Sequence, residues 1–241
     1  MQTKVDEIAE RVYRISTAVD GVGPEPFTFN QFLIDADEPM LFHLGGRQLF
    51  PLVSAAVAKV TPLDRIRYLS FGHVESDECG SLNQWLAAAP RAEVVQSGTG
   101  CMVSLNDLSD RPPRPLADGG VVDLGGRRMR WLDTPHVPHG WEAGLMYEET
   151  LGALFCGDLL THGGDGPAIT EADITAPAFA MEDMFHSMTL APNTAAVLGR
   201  LAQLQPTTLA VMHGSSFRGD GAGALRRLAD YCEASAQKHA P

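Results

Sequence analysis

The sequence predicts an α+β chain in which two mixed β-sheets pack face to face with helices outside, an αββα sandwich. Two observations carry this. Strand-like stretches come in blocks, the blocks alternate with single helices, and the pattern runs twice along the chain. Four short loops rich in His, Asp and Glu each follow a strand-like stretch, which puts the chemistry at strand ends. Sheets packed in layers under helices accommodate both.

The elements run in this order. Residues 5–16 mix Val, Ile and Tyr with charges and read as one or two strands. Residues 27–34 and 40–42 are apolar runs separated by the turn signal Asp35-Ala-Asp-Glu-Pro39, and read as a hairpin. Residues 47–60 have helical spacing, with Leu49, Leu52, Val53, Ala56 and Val57 on one face. Residues 66–69 form a short buried strand, and residues 81–89 a short helix with Ser81 as its N-cap. Val94-Val95 is another strand. Arg111-Pro-Pro-Arg-Pro115, followed by Ala117-Asp-Gly-Gly120, reads as a surface loop. Residues 121–124 and 129–132 flank Gly125-Gly126 as a hairpin. Residues 143–147 and 153–156 form a further pair of strands. A helix over 193–204, a strand over 208–212 and a closing helix over 222–236 complete the chain.

Length and charge narrow the function. The 241 residues suit one large domain or two small ones, with no repeat and no low-complexity segment. Lys and Arg number 18 against 30 Asp and Glu, a net charge of −12. That balance excludes nucleic acid and anionic membrane as main partners, because both need clustered cations. No stretch of about 20 apolar residues is present, and the first residues lack the apolar core of a signal peptide. Cys79, Cys101, Cys156 and Cys232 form no CxxC pair and read as reduced thiols of a cytoplasmic protein.

The four loops hold the chemistry. The first, Phe71-Gly-His-Val-Glu-Ser-Asp-Glu-Cys-Gly-Ser81, alternates His73, Glu75 and Asp77, with Glu78 next. An extended segment sends alternate side chains to one side, so three ligands converge. The second is Asp133-Thr-Pro-His-Val-Pro-His-Gly-Trp141, the third Phe155-Cys-Gly-Asp-Leu-Leu-Thr-His162, and the fourth Val211-Met-His-Gly-Ser-Ser216. Any one of these is weak alone. Together they place imidazoles and carboxylates at successive strand ends, and a metal supplies the charge that such a cluster needs.

The ordered pattern resembles the metallo-β-lactamase fold, and within it the diiron domain of flavodiiron proteins and the stand-alone oxygen-binding diiron proteins. Zinc hydrolases of the fold carry His-x-His-x-Asp-His, whereas this chain has His73-Val-Glu75-Ser-Asp77-Glu78. Glu in place of the second His is the flavodiiron hallmark. His136-Val-Pro138 resembles that family's second loop, Gly157-Asp158 its bridging aspartate and His213-Gly214 its last ligand. The gaps between these residues, 63, 22 and 55, are of the expected size. The resemblance runs from about Asn30 to His213.

By that resemblance His73, Glu75 and His136 hold the first iron, Asp77 and His213 the second, and Asp158 bridges them. Mixed N/O ligation suits iron or manganese, and zinc here prefers more imidazole. Two departures stand out. Position 78 is Glu where the family usually has His: it either adds a carboxylate to the second metal or, the reading preferred, hydrogen-bonds behind the ligands. The flavodoxin-like domain and its flavin are not encoded in this sequence, so residues 1–241 read as a single diiron domain that needs a separate electron-donor protein. Other partners are a small diatomic ligand, a signalling protein, and a second copy of the chain in a homodimer.

Around the centre, His139 and Trp141 are candidates to line the pocket, His162 to orient a ligand or gate access, and His186 to serve as a lid. His43 reads as structural, His239 as a tail residue, and Cys79 takes no nucleophilic role. Three functions are compatible with this: a redox enzyme that reduces dioxygen, nitric oxide or peroxide, a non-enzymatic oxygen sensor, and a metal-dependent hydrolase. Glu75 speaks against the last, since it makes the site harder and more anionic.

Overall fold

The computed structural model describes residues 2–238; His239 lies outside them. The chain opens with the antiparallel strands β1 (Thr3–Ala9), β2 (Val12–Val19), β3 (Phe27–Ile34) and β4 (Met40–Phe42). Helix α1 (Phe50–Val57) leads to β5 (Tyr68–Ser70). Helices α2 (Ser76–Cys79) and α3 (Leu82–Ala88) then precede β6 (Glu93–Ser97). The short helices α4 (Gly98–Gly100) and α5 (Asn106–Leu108) come next, and β7 (Arg114–Leu116) closes the first sheet. Its order is β1-β2-β3-β4-β5-β6-β7, parallel from β4 onward.

The second sheet contains β8 (Val121–Asp123), β9 (Arg128–Asp133), β10 (Gly144–Glu148), β11 (Ala153–Phe155), β12 (Ile169–Thr170), β13 (Thr208–Ala210) and β14 (Ser216–Arg218). Its order is β12-β14-β13-β11-β10-β9-β8, mixed like the first. Helices α6 (Thr175–Phe185), α7 (Thr194–Gln203) and α8 (Gly221–Lys238) cover it.

Period-two alternation builds the layers. On β3, Phe32 and Ile34 face the other sheet, while Leu33 faces α1 and α3. On β11, Phe155 joins the inter-sheet core and Leu154 the helix side. Trp131 and Met146 fill the middle from the second sheet. The expected αββα sandwich is therefore the observed one.

Local departures have local causes. The Pro-rich stretch near residue 113 adds an edge strand, β7, where prolines without N–H groups are tolerated. Helix α1 begins at Phe50 with Pro51 in its first turn, and Leu52 lies outward of the buried Val53, Ala56 and Val57. The Ser81 hydroxyl donates to Leu44 O at 2.6 Å instead of capping α3. Helix α6 carries no clear periodic signal in the sequence.

Candidate metal centre

Beyond β5 the chain bends at Gly72–Val74, where the Glu75 N–H donates to His73 O at 3.1 Å, and Glu75 itself is extended, with φ and ψ at −133° and 156°. The expected convergence of His73 and Glu75 holds even so, and Nε2 and Oε2 meet at 2.9 Å. The alternation fails after Glu75, because α2 begins there. The helical turn sends Asp77 towards His213, with Oδ2 at 3.4 Å from Nε2. It sends Glu78 to the rear of His73, where its Oε2 accepts the backbone N–H of Gly72 and His73.

The loop between β9 and β10 supplies a different histidine from the one expected. His136 is exposed, with φ at 66°, and its N–H donates to Gly140 O at 2.8 Å. It serves a tight turn, and that turn carries His139 into the cluster instead. His139 Nε2 lies 2.8 Å from His73 Nε2, 3.1 Å from Glu75 Oε2 and 3.4 Å from Asp158 Oδ2. The His136-Val-Pro138 resemblance favours His136 for this place, but the turn brings His139, three residues later, to the cluster.

Asp158 follows β11 and sits between the two groups. Its Oδ2 lies 3.6 Å from His73 Nε2 and its Oδ1 3.2 Å from His213 Nε2. Among the described residues, His73, Glu75, His139 and Asp158 each offer a ligand atom within 4.8 Å of the others. Asp77, Asp158 and His213 form the adjoining set.

The chemistry of this set fits a metal. All three imidazoles have Nδ1 turned to an acceptor: Glu78 Oε1 at 3.2 Å for His73, Ser187 O at 3.1 Å for His139 and Thr28 O at 2.7 Å for His213. A proton on each Nδ1 leaves three Nε2 lone pairs aimed inward among carboxylates. Lone pairs of His73 and His139 at 2.8 Å repel unless a cation lies between or beside them. Asp158 Oδ1 is likewise buried without a hydrogen-bond donor.

Without a cation, protons must substitute. Burial opposes a charge on His73, but Glu78, Glu75 and Asp158 outweigh it and push the ring to about 11. Burial opposes His213 likewise, and Asp158 with Asp77 push it to about 10. Glu75 is held well below the usual carboxylate range by His139 and His73. Burial raises Asp158, yet His213 brings it down to about 2.

A cavity of about 220 Å³ opens over the cluster. Glu75, Asp77, His139, Asp158 and His213 make its polar floor, and Val22, Phe27, Met181 and Phe185 its apolar walls. The remaining candidates lie elsewhere. His162 is buried, donates from Nδ1 to Leu160 O at 2.8 Å and accepts the Ser215 N–H at Nε2. It braces the Asp158 loop against the His213 loop and has no nitrogen left to orient a ligand. His186 ends α6 with φ at 50° and is exposed, while its neighbours Phe185 and Ser187 line the cavity. Trp141 is largely exposed and borders a separate cleft with Ser97 and Asp133. No described helix is long and apolar enough to cross a membrane.

A family model described as ODP family beta lactamase matches residues 27–214. A protein of Thermosynechococcus vestitus named as a diflavin flavoprotein A 1 is 30% identical over 212 residues, covering 79% of this chain and 34% of its own. The rubredoxin oxygen:oxidoreductase of Desulfovibrio gigas superposes with a TM-score of 0.82 at 18% identity, over 95% of this chain and 62% of that one. The flavodiiron protein of Giardia intestinalis gives 0.81 at 17%, over 97% and 60%. The chain thus spans about a third of the length of the curated relatives it matches.

Proposed function

The chain belongs to the ODP family of beta-lactamase-like proteins, and we propose that it is a non-haem diiron protein that binds or reduces dioxygen, nitric oxide or peroxide. The observation that carries this is the convergence of Glu75 and Asp158 with the Nε2 atoms of His73 and His139. His73, Glu75, His139 and Asp158 would hold the first ion, and Asp77, Asp158 and His213 the second. Three carboxylates against three imidazoles favour iron, with manganese next, over zinc. Iron, when bound there, supplies electron transfer to a small ligand.

The protein's own residues do the rest. The carboxylates compensate cationic charge, the Nδ1 contacts orient the rings, and the cavity with its apolar walls leaves room for a small uncharged molecule. In this reading the chain acts as one diiron domain and receives electrons from a separate donor protein. The four free cysteines support a reducing compartment, the cytoplasm. A sensor would share this centre and differ only in passing the bound state to a signalling protein instead of turning the ligand over.

The test is metal content with an optical spectrum. Protein made in iron-replete medium and purified anaerobically should carry about two irons per chain and change its spectrum in air. Stoichiometric zinc without iron would return the chain to the hydrolases of the fold.

A further inference from the structure

We infer that Glu78 is a positioning residue, which fixes the ring nitrogen that His73 offers to the centre and is itself backed by His43. The inference rests on the diiron reading. Glu78 follows Asp77 on α2, yet its side chain points the other way and is fully buried. Two backbone N–H groups, from Gly72 and His73, hold Oε2. With Oε2 fixed, Oε1 is confined behind the ring, 3.2 Å from His73 Nδ1 and 3.5 Å from His43 Nε2.

The surroundings are shaped for this carboxylate. A Cβ at Gly72 would stand 3.1 Å from Oε2, and one at Gly157 3.4 Å from Oε1. The Leu44 N–H donates to Glu78 O at 2.7 Å, which ties α2 to the segment that carries His43. His43 is fully buried, with φ at 61°, and packs on the Phe42 ring at 4.4 Å. Neither of its ring nitrogens makes a hydrogen bond, nor does Glu78 Oε1, and Nε2 faces Oε1 at ion-pair distance, as His73 Nδ1 does from the other side.

A carboxylate at Nδ1 selects the tautomer with its proton there and leaves Nε2 as the donor atom. Glu78 thereby serves the first metal position through His73 and adds no ligand to the second. The second position keeps Asp77, Asp158 and His213 alone, which leaves room for an exogenous ligand.

The test uses cobalt(II), titrated into the whole protein and followed by its visible absorption. In Glu78→Gln only the carbonyl oxygen can accept the Gly72 and His73 N–H groups. The amide NH₂ then faces Nδ1 and drives the His73 proton to Nε2, the wrong nitrogen. We expect cobalt binding at one of the two positions to weaken roughly 10–100-fold. In a His73→Ala background the same substitution should change nothing, since Glu78 acts through that ring. Should Glu78→Gln fail to fold, Glu78→Asp keeps the charge but withdraws it from Nδ1, and the same loss is expected. Wild-type affinity at both positions in these variants, or a loss that persists without His73, would overturn the inference and leave the diiron reading standing. A wild-type chain that binds no cobalt would overturn both.

Discussion

His73 and His213 present the same atom to the same centre, with similar burial, but are held in different ways. Behind His73 stands a buried carboxylate, Glu78, with a second imidazole beyond it. Behind His213 stands a neutral main-chain carbonyl, Thr28 O, with the Phe27 ring 4.3 Å away. The His213 loop is fastened by backbone contacts. Asn30 Nδ2 donates to Val211 O and Gly214 O, and the buried Arg14 donates to Gly214 O. Carboxylates face both rings at Nε2, but behind Nδ1 the first ring is held by charge and the second by the fit of the main chain. Substitutions that alter charge should damage the first half, and substitutions that alter space the second.

The comparison breaks most completely at Asp158, the residue shared by both halves. Asp158→Ala should remove both metal positions while the fold persists, because a bridging carboxylate screens two cations about 3.5–4 Å apart. Metal analysis beside a circular dichroism spectrum checks this; two retained ions would mean that another group bridges.

His139→Ala should cost the first ion and spare the second, whereas His136→Ala should leave both in place. The contrast, read by metal titration, separates the histidine that the structure brings to the cluster from the one that the sequence favoured.

Gly214→Ala tests the spatial half. Gly214 has φ at 103°, and a Cβ there would overlap the His162 ring. Strain and clash together should destabilise the protein by about 2–4 kcal/mol in urea titration. Stability near wild type would show that the His213 loop is not tightly held.

The smallest effect concerns protons. Without metal, His73 and His213 stay protonated up to about 11 and about 10. Both values exceed the unfolded value of about 6.5. The stability they add is thus complete below about pH 6.5 and fades as pH rises through about 10 and about 11. Metal must displace these protons, so loading at neutral pH should release about two to three per chain, and affinity should fall with acid. A pH indicator in weak buffer reads the release, and none would contradict the cluster described.

Much of this was legible in the sequence. Continuous apolar runs such as 40–42 and 153–156 announce strands buried on both faces, and the loops that follow the strands carry five of the six expected ligands to one place. What was not legible has local physical causes. The choice between His136 and His139 depends on a turn closed by the Gly140 carbonyl, which spacing cannot show. Asp77 and Glu78 share a helical turn, so their divergence cannot be read from strand alternation. Strand β7 hides in a proline-rich stretch that forms an edge only because β6 lies beside it. His43 has no motif of its own and meets Glu78 only in the fold, 35 residues along the chain.

The most direct measurement is anomalous diffraction at the iron edge from iron-loaded crystals. Two peaks are expected, one among His73, Glu75, His139 and Asp158, the other among Asp77, Asp158 and His213, with Glu78 touching neither. A single peak, or a peak ligated by His136 or Glu78, would contradict the centre described.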